Sequence, residues 1–473
     1  MTSTRAMKTA DLVVIGGGLA GMCAAYEATQ RGLRAVVVET RGRPGGLIAS
    51  ARLGGVPFDI GAESWATRAK PVTALVEELG LETTIPTGRS WVWNQDIARA
   101  YPIPNGVLGL PADLEAPEVQ AAIGTEGVER ARQDLTEPVG QLPADFGTLV
   151  EERLGKAVLD HLVRPVAGGI HTADPKLLDA DTIAPGLREL TYQHGSLLRA
   201  ANEIASRNPG PKVAQTEGGM FRLIETLEER IVANGGTVLV RHAATGLKPE
   251  ADGSWQVQIH PTQRPADPAA DPQPCGDPQT WVTERVVVAL PGPAAQKLLS
   301  EHLDLPTWEL PLGAPIAHQV LMVDSDQLNS GPRGSGVLVT APAHAGHVRA
   351  KAVSHLSYKW GWMRQVLPVN RHLLRVSYGR SGEPYPHPTV ADAIADVNTA
   401  LGVSLSPQDV VASMLVRWDG QLAPPTPQHR SQVAQLLAAA QKYPGLAITG
   451  AWVAGSGFAS VVPHARGAVK ELL

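Results

Sequence analysis

Cysteine is scarce in this chain, and its two thiols stand far apart, Cys23 in an apolar stretch and Cys275 in a proline-rich one. That excludes a disulfide framework. A dominant charge is missing too. Forty-one Lys and Arg face 46 Asp and Glu, a formal net charge of −5, so no basic field points to nucleic acid or an anionic membrane. No apolar run reaches the ~18 residues of a membrane span. Met1–Thr9 carries basic residues without the apolar core of a secretory signal. The expectation is a cytoplasmic protein with no nucleic-acid partner and no stable membrane insertion. Neither a catalytic triad nor a metal cluster shows itself. His344 and His347 have an H-x-x-H spacing but no carboxylate or cysteine companion, so no metal is expected.

What is present begins at Asp11–Gly46. The apolar run Leu12-Val13-Val14-Ile15 leads into Gly16-Gly17-Gly18-Leu19-Ala20-Gly21, an amphipathic segment reaches Gly32, and Ala35–Val38 ends at Glu39. This reads as strand, tight turn, helix and strand closed by an acid. Gly16 permits the turn, Gly18 lets the backbone approach a pyrophosphate, and Gly21 lets helix and sheet pack closely. The helix start offers free N–H groups and a dipole to the phosphates. Glu39 lies eighteen residues after Gly21, near the ~20 expected of an acid that accepts from a ribose hydroxyl. Strand, helix and acid together make this a dinucleotide site. With 473 residues, above the ~250–300 at which one core stops growing, two or three domains are expected.

After the acid come Thr40 and Arg41-Gly42-Arg43-Pro44-Gly45-Gly46, a second glycine pair beside an arginine. Placed directly after a dinucleotide unit, it favours a flavin over a nicotinamide. Further on stand Asp59-x-Gly61-Ala62-Glu63-Ser64 and Arg68, then Tyr101–Gly106, Arg164–Pro175, Glu217–Met220, Ser357–Trp360 and Tyr378–Arg380. Together with Glu39, Arg43 and Gly45-Gly46, these resemble the amine-oxidase superfamily of FAD enzymes. More narrowly they resemble its porphyrinogen oxidases, and the Gram-positive type of coproporphyrinogen III oxidase most of all. The likeness extends over almost the whole chain.

The resemblance implies an α/β fold: a Rossmann-like FAD-binding domain, a discontinuous α+β substrate domain and a mostly helical lobe. The expected bounds are 1–80, 211–295 and 430–473 for the first, 81–107 and 296–429 for the second, and 108–210 for the lobe. Phe146–Val163 has helical spacing, and Met220–Val232 reads as a helix before the strand Thr237–Val240. His242–Thr245 reads as a turn that would bring Ala244 to the adenine. Trp255–His260 and Trp281–Ala289 read as paired strands, and Pro261–Thr280 between them as a flexible surface insertion without a catalytic role. Ile316–Val323, Ala352–Leu356 and Leu373–Tyr378 read as strands of the substrate floor, with Ser357–Trp360 fitting further strand. Leu446–Trp452 reads as a strand entering a closing turn, and Ser460–Leu473 as a helix.

By resemblance, non-covalent FAD is held by Gly16, Gly17, Gly18, Leu19, Ala20, Gly21, Glu39, Thr40, Arg43, Gly45, Gly46, Gly61, Ala62, Glu63, Ser64, Ala244, Trp418, Ala451, Ser456, Gly457 and Phe458. No catalytic side chain is implied, because the flavin carries the chemistry. The implied reaction is a six-electron oxidation of coproporphyrinogen III to coproporphyrin III by oxygen, releasing hydrogen peroxide, in haem biosynthesis. Transient contact with a downstream haem-pathway enzyme accompanies it. Four propionates call for cationic donors, and Arg68, Lys70, Lys359 and Arg380 are the candidates. Protoporphyrinogen IX oxidation is the alternative. A flavin amine oxidase is a weaker one, since Ala317 takes the place of the lysine those enzymes carry in a similar segment.

Overall fold

The computed structural model describes residues 7–207, 210, 212–267, 270–310, 313–341, 348–380, 382–420, 424–455 and 457–473. Its organising layer is a sheet of short strands rich in valine: Leu12–Ile15 (β1), Ala35–Glu39 (β2), Thr237–Val240 (β3), Val286–Val288 (β4) and Leu446–Ile448 (β5). They run in the order β3-β2-β1-β4-β5, and every pairing is parallel. Parallel strands must be covered on both faces, which is why β1, β2 and β4 are apolar without alternation. On one face, Leu12, Val14, Val37 and Val287 pack against helices Leu19–Gln30 (α1), Phe221–Ala233 (α2) and Phe458–Glu471 (α3). On the other, Val13, Ile15, Val36, Val38 and Val288 meet Leu247, Trp255, Val257 and Ile259 of a second five-stranded sheet. Each such buried side chain contributes ~1.5–3 kcal/mol of transfer free energy, so this double layer is a rigid platform.

A seven-stranded sheet forms the second layer system, ordered Val410–Trp418, Ile316–Asp324, Arg371–Tyr378, Ala352–His355, Gly336–Val339, Ser90–Asn94 and Arg99–Pro102. One face packs on the helix Val390–Leu401 through Ala317, Leu321, Leu374 and Val376. The opposite face carries Val320, Met322 and Leu373, which pack with Phe58 and Trp360, together with the polar His318, Arg375 and Ser377. That second face looks toward the first sheet's loops. Between Pro117 and Ser206 the chain is helical, around Val119, Phe146, Leu149, Leu162 and Leu197. Leu159–Gly168 is a wide π-helical run containing Pro165, a geometry concentrated at functional sites.

Several local expectations are corrected. Gly155, at φ 89°, breaks the expected helix Phe146–Val163 after Leu154. His242–Thr245 is not a turn but the start of the strand His242–Pro249, bulged between Ala244 and Gly246. Its long-range ladder with Trp255–Pro261 overrides the local signal. Trp281–Ala289 divides between Gln279–Thr283 in the covering sheet and β4 in the central one. The insertion after Pro261 carries structure of its own: Thr262 and Gln263 pair with Pro274 and Gln273, and Arg41 grips Asp271 at 2.8 Å. Leu356–Lys359 is a helical turn, not a strand. The closing strand stops at Ile448, since Gly450 at φ 128° turns the chain into the short helix Ala451–Ala454. Among the described residues, no helix is long and apolar enough to cross a membrane.

Candidate active site

The site starts where β1 ends. Gly16 sits at φ +106°, and a Cβ there would lie 2.6 Å from the Ala289 carbonyl oxygen, so only glycine fits. A Cβ on Gly21 would lie 1.8 Å from the Gly16 oxygen, so α1 can lie against the turn only because that side chain is absent. Gly18 differs. Its absent Cβ would meet nothing within 4 Å, and it caps α1 with extended backbone. The space above it is free for a group that approaches the backbone, and Leu19 and Ala20 begin the helix whose N–H groups point there.

Two neighbouring segments are fastened to this turn. Glu39 at the end of β2 accepts from the Gly17 N–H at 2.9 Å and the Arg41 N–H at 2.7 Å. Burial raises its carboxyl pKa, against the pull of those N–H groups. The Gly45 N–H donates to the Gly17 oxygen at 2.7 Å, and a Cβ on Gly46 would lie 3.3 Å from the Gly18 Cα. The two glycine pairs thus form one backbone floor. Arg43 holds that floor in shape by donating to the carbonyls of Pro44, Gly46 and Ile48. Thr40 is fixed through its carbonyl by the Thr262 hydroxyl at 2.7 Å.

From the far end of the chain, α3 packs beside α1, and Arg466 joins them to Glu27 at 2.6 Å. Gly457 caps α3 with open space where its Cβ would be, and Phe458 opens the helix. Ala451 begins the preceding short helix. Ser456 lies outside the described residues, as do His344 and His347. Ala244 is half-buried on the strand beside β2. The fingerprint and closing segments therefore stand together, each with a helix start and a glycine whose missing side chain leaves room. That is what a dinucleotide's phosphates and adjoining ring require.

The loop Asp59–Ser64 connects this cradle to the seven-stranded sheet. Asp59 is buried and accepts from the N–H groups of Met220 and Phe221, at the start of α2. Gly61 fits against the Leu47 carbonyl oxygen, 2.0 Å from where its Cβ would stand, and the Ala62 N–H donates to that oxygen at 3.0 Å. The Trp418 indole donates to the Ile60 oxygen at 2.8 Å, and Arg375 donates to the Gly61 oxygen at 3.0 Å. Glu63 is buried between Lys359 and Arg375 and pairs with both, while Ser64 is half-buried beside it. Burial would raise the Glu63 carboxyl, but the charges of Arg375 and Lys359 outweigh it and hold it down at about 2.

The four expected substrate cations fare differently. Lys359 is taken by Glu63. The Arg380 guanidinium donates to the carbonyls of Val339, Arg349 and Ala350 and stands 3.7 Å from Glu383. Lys70 is exposed at the first residue of the helix Lys70–Glu78. Arg68 reaches the lobe, donating to the Ile183 oxygen at 3.2 Å. Sequence reasoning passed over Arg375, although a charged residue inside the apolar strand Arg371–Tyr378 was a readable signal. Ala317 faces the apolar layer under Val390–Leu401, not the cradle. Its lack of an ammonium therefore carries no weight against an amine oxidase.

Residues 19–317 match the family model described as flavin containing amine oxidoreductase. The chain is similar to the coproporphyrinogen III oxidase of Mycobacterium leprae, 26% identical over 98% of this chain and 99% of that protein. It is also similar to the coproporphyrinogen III oxidase of Staphylococcus aureus, at 25% identity with the same coverage. Among solved structures, a provisionally named protoporphyrinogen oxidase from Exiguobacterium sp. 255-15 superimposes with a TM-score of 0.76 over 99% of both chains, at 22% identity. At that identity the likeness speaks for the fold.

Proposed function

The chain belongs to the flavin containing amine oxidoreductases, a family whose members carry a flavin, and from that premise we propose that it oxidises coproporphyrinogen III to coproporphyrin III with non-covalently held FAD. The observation that carries this reading is the extent of the likeness to coproporphyrinogen III oxidases. It runs through the seven-stranded sheet and the helical lobe as well as the cradle. When bound, FAD would supply the electron acceptor for three two-electron steps and return the electrons to oxygen, giving hydrogen peroxide.

The chain's own residues bind, orient and shield. The floor of Gly16–Gly18 and Gly45-Gly46 would hold the pyrophosphate, and Glu39 would exchange its N–H partners for ribose hydroxyls. Ala244 would stand by the adenine. Gly61–Ser64, Trp418, Ala451 and Gly457-Phe458 would line the reactive ring, with Ser456 expected beside them. The Glu63–Arg375–Lys359 cluster fixes the ring-side loop against the substrate sheet. No side chain is assigned as a base. Arg68 and Lys70 remain candidates for substrate carboxylates at the lobe side. A cytoplasmic setting and passing contact with a downstream haem-pathway enzyme belong to the same reading.

An aerobic assay with coproporphyrinogen III and protoporphyrinogen IX side by side tests it, read by porphyrin fluorescence and peroxide yield. Faster turnover of coproporphyrinogen is expected. Preference for protoporphyrinogen would change the substrate, and turnover of neither would return the chain to the amine oxidases.

A further inference from the structure

Among the described residues, one cation on the cradle-facing side of the substrate sheet lacks an ion-pair partner. Lys351 precedes the strand Ala352–His355, and its backbone is fixed on both sides. Its N–H donates to the Ser377 oxygen at 2.7 Å, and its own oxygen accepts from Val339 at 2.9 Å. Arg380 clamps the chain just before it, through the carbonyls of Arg349 and Ala350. The stem is thus held, but the ammonium is not neutralised. Its hydrogen-bond partner is the Thr172 hydroxyl at 3.3 Å, and among the described residues no carboxylate lies within ion-pair distance of it. The nearby carboxylates are spent: Glu63 on Lys359 and Arg375, Glu383 on Arg380.

Its surroundings sharpen the point. Burial, then the charges of Arg380 and Arg375, bring the Lys351 ammonium down to about 7, against the opposing charge of Glu383. Burial, aided by the charges of Arg375 and then Lys351, lowers His318 well below the ordinary histidine range, and His318 bonds Ser377 at 2.9 Å on the same face. Across the seam, Thr172 adopts a left-handed backbone at the end of Gly169–His171, directly after the π-helical run. His171 on that turn is depressed to about 4 by burial and by Arg68. Positive charge therefore gathers where lobe meets sheet, and among the described residues the acid that acts on Lys351, Glu383, is engaged by Arg380 and forms no ion pair with the Lys351 ammonium. An uncompensated buried charge is costly, and the arrangement gains by receiving a carboxylate.

We propose that Lys351 anchors a propionate of the tetrapyrrole, its ammonium and the Thr172 hydroxyl holding one carboxylate at the seam between the helical lobe and the substrate sheet. The anchor rests on the tetrapyrrole reading above, and it replaces Lys359 and Arg380 as the sheet-side cation.

The test uses flavin-loaded full-length protein. Binding of coproporphyrin III and of its neutral tetraamide is titrated by fluorescence for wild type, K351M and K351R. K351M is expected to weaken the free acid about ten- to a hundredfold, the range of a hydrogen bond to a charged group, and to leave the tetraamide unchanged. K351R should keep acid affinity within a few-fold and shows that the position tolerates change if K351M fails to fold. Equal acid affinity in K351M and wild type overturns the anchor, as do equal losses for acid and tetraamide. If K351M does not fold, acid affinity in K351R no different from its tetraamide affinity overturns it as well. Wild type that binds neither ligand overturns anchor and tetrapyrrole reading together. Wild type that binds the acid but turns over no porphyrinogen fails the reading alone.

Discussion

The glycine cradle and the polar face of the seven-stranded sheet meet at one loop, yet they are built by opposite means. In the cradle, position is set by what side chains are absent. Gly16 and Gly21 are compelled by backbone atoms at 2.6 and 1.8 Å from their missing Cβ atoms, and Gly18 and Gly457 keep space open. On the sheet face, position is set by charges brought together from far apart in the chain, Glu63 with Lys359 and Arg375. The first is steric and tolerates nothing larger. The second is electrostatic and depends on every partner being present.

Within the cradle, a substitution can separate folding from binding. Gly21→Val should give the largest effect, because the added carbon collides with backbone that cannot yield. Ordinary overpacking, where neighbours can shift, costs ~1–3 kcal/mol; a Cβ 1.8 Å from the Gly16 oxygen exceeds that, and little folded protein is expected, read by expression and thermal melting. Gly18→Val should instead fold, its Cβ having nothing to strike, and yet lose more than about nine-tenths of its flavin, since ligand sites of this kind need the backbone approach that glycine allows. A purified Gly18→Val protein with a normal flavin spectrum would show that the open space above Gly18 is not the cofactor's.

On the sheet face, Glu63→Gln should leave two buried cations without their anion and cost ~3–5 kcal/mol, seen as a lowered melting temperature. Its pH dependence has a definite sign. The folded Glu63 carboxyl lies at about 2, below its ordinary 4.5. Its contribution is therefore complete above pH 4.5 and disappears as pH falls from there to about 2. The gap between wild type and Glu63→Gln should be constant above pH 5 and close below it. A gap that stays open at low pH would mean that shape, not charge, holds the cluster.

This division also explains what the sequence disclosed. β1, α1, β2 and Glu39 were readable because their logic is local: apolar runs, glycines at fixed offsets, an acid eighteen residues on. The helix α3 was readable in the same way, whereas the Rossmann-like sheet as a whole and the return of α3 to the cradle were what the family resemblance implied. His242–Thr245 misled because its conformation comes from a ladder with Trp255–Pro261, which no short window contains. Lys359 and Arg380 were chosen as charges near family-like motifs, but whether a cation is free depends on where Glu63, Glu383 and three backbone carbonyls lie in space. Lys351 went unnoticed for the same reason. Its distinction is that, among the described residues, no acid forms an ion pair with it, and only folding reveals that.

Trp418 crosses the divide and should show the smallest effect of these changes. It belongs to the substrate sheet, yet its indole N–H donates to Ile60 at 2.8 Å, and its ring lies 3.2 Å from where a Cβ on Gly61 would be. Trp418→Phe removes the donor while keeping an aromatic ring, so the loss should match one neutral hydrogen bond, ~0.5–1.5 kcal/mol. That corresponds to roughly a two- to tenfold weaker hold on flavin, measured by titrating apoprotein, if the bond steadies the ring-side loop. Should the affinity stay unchanged, the sheet's hold on the loop Asp59–Ser64 lies in Arg375 and Lys359, and the sheet reaches the cradle without help from the indole.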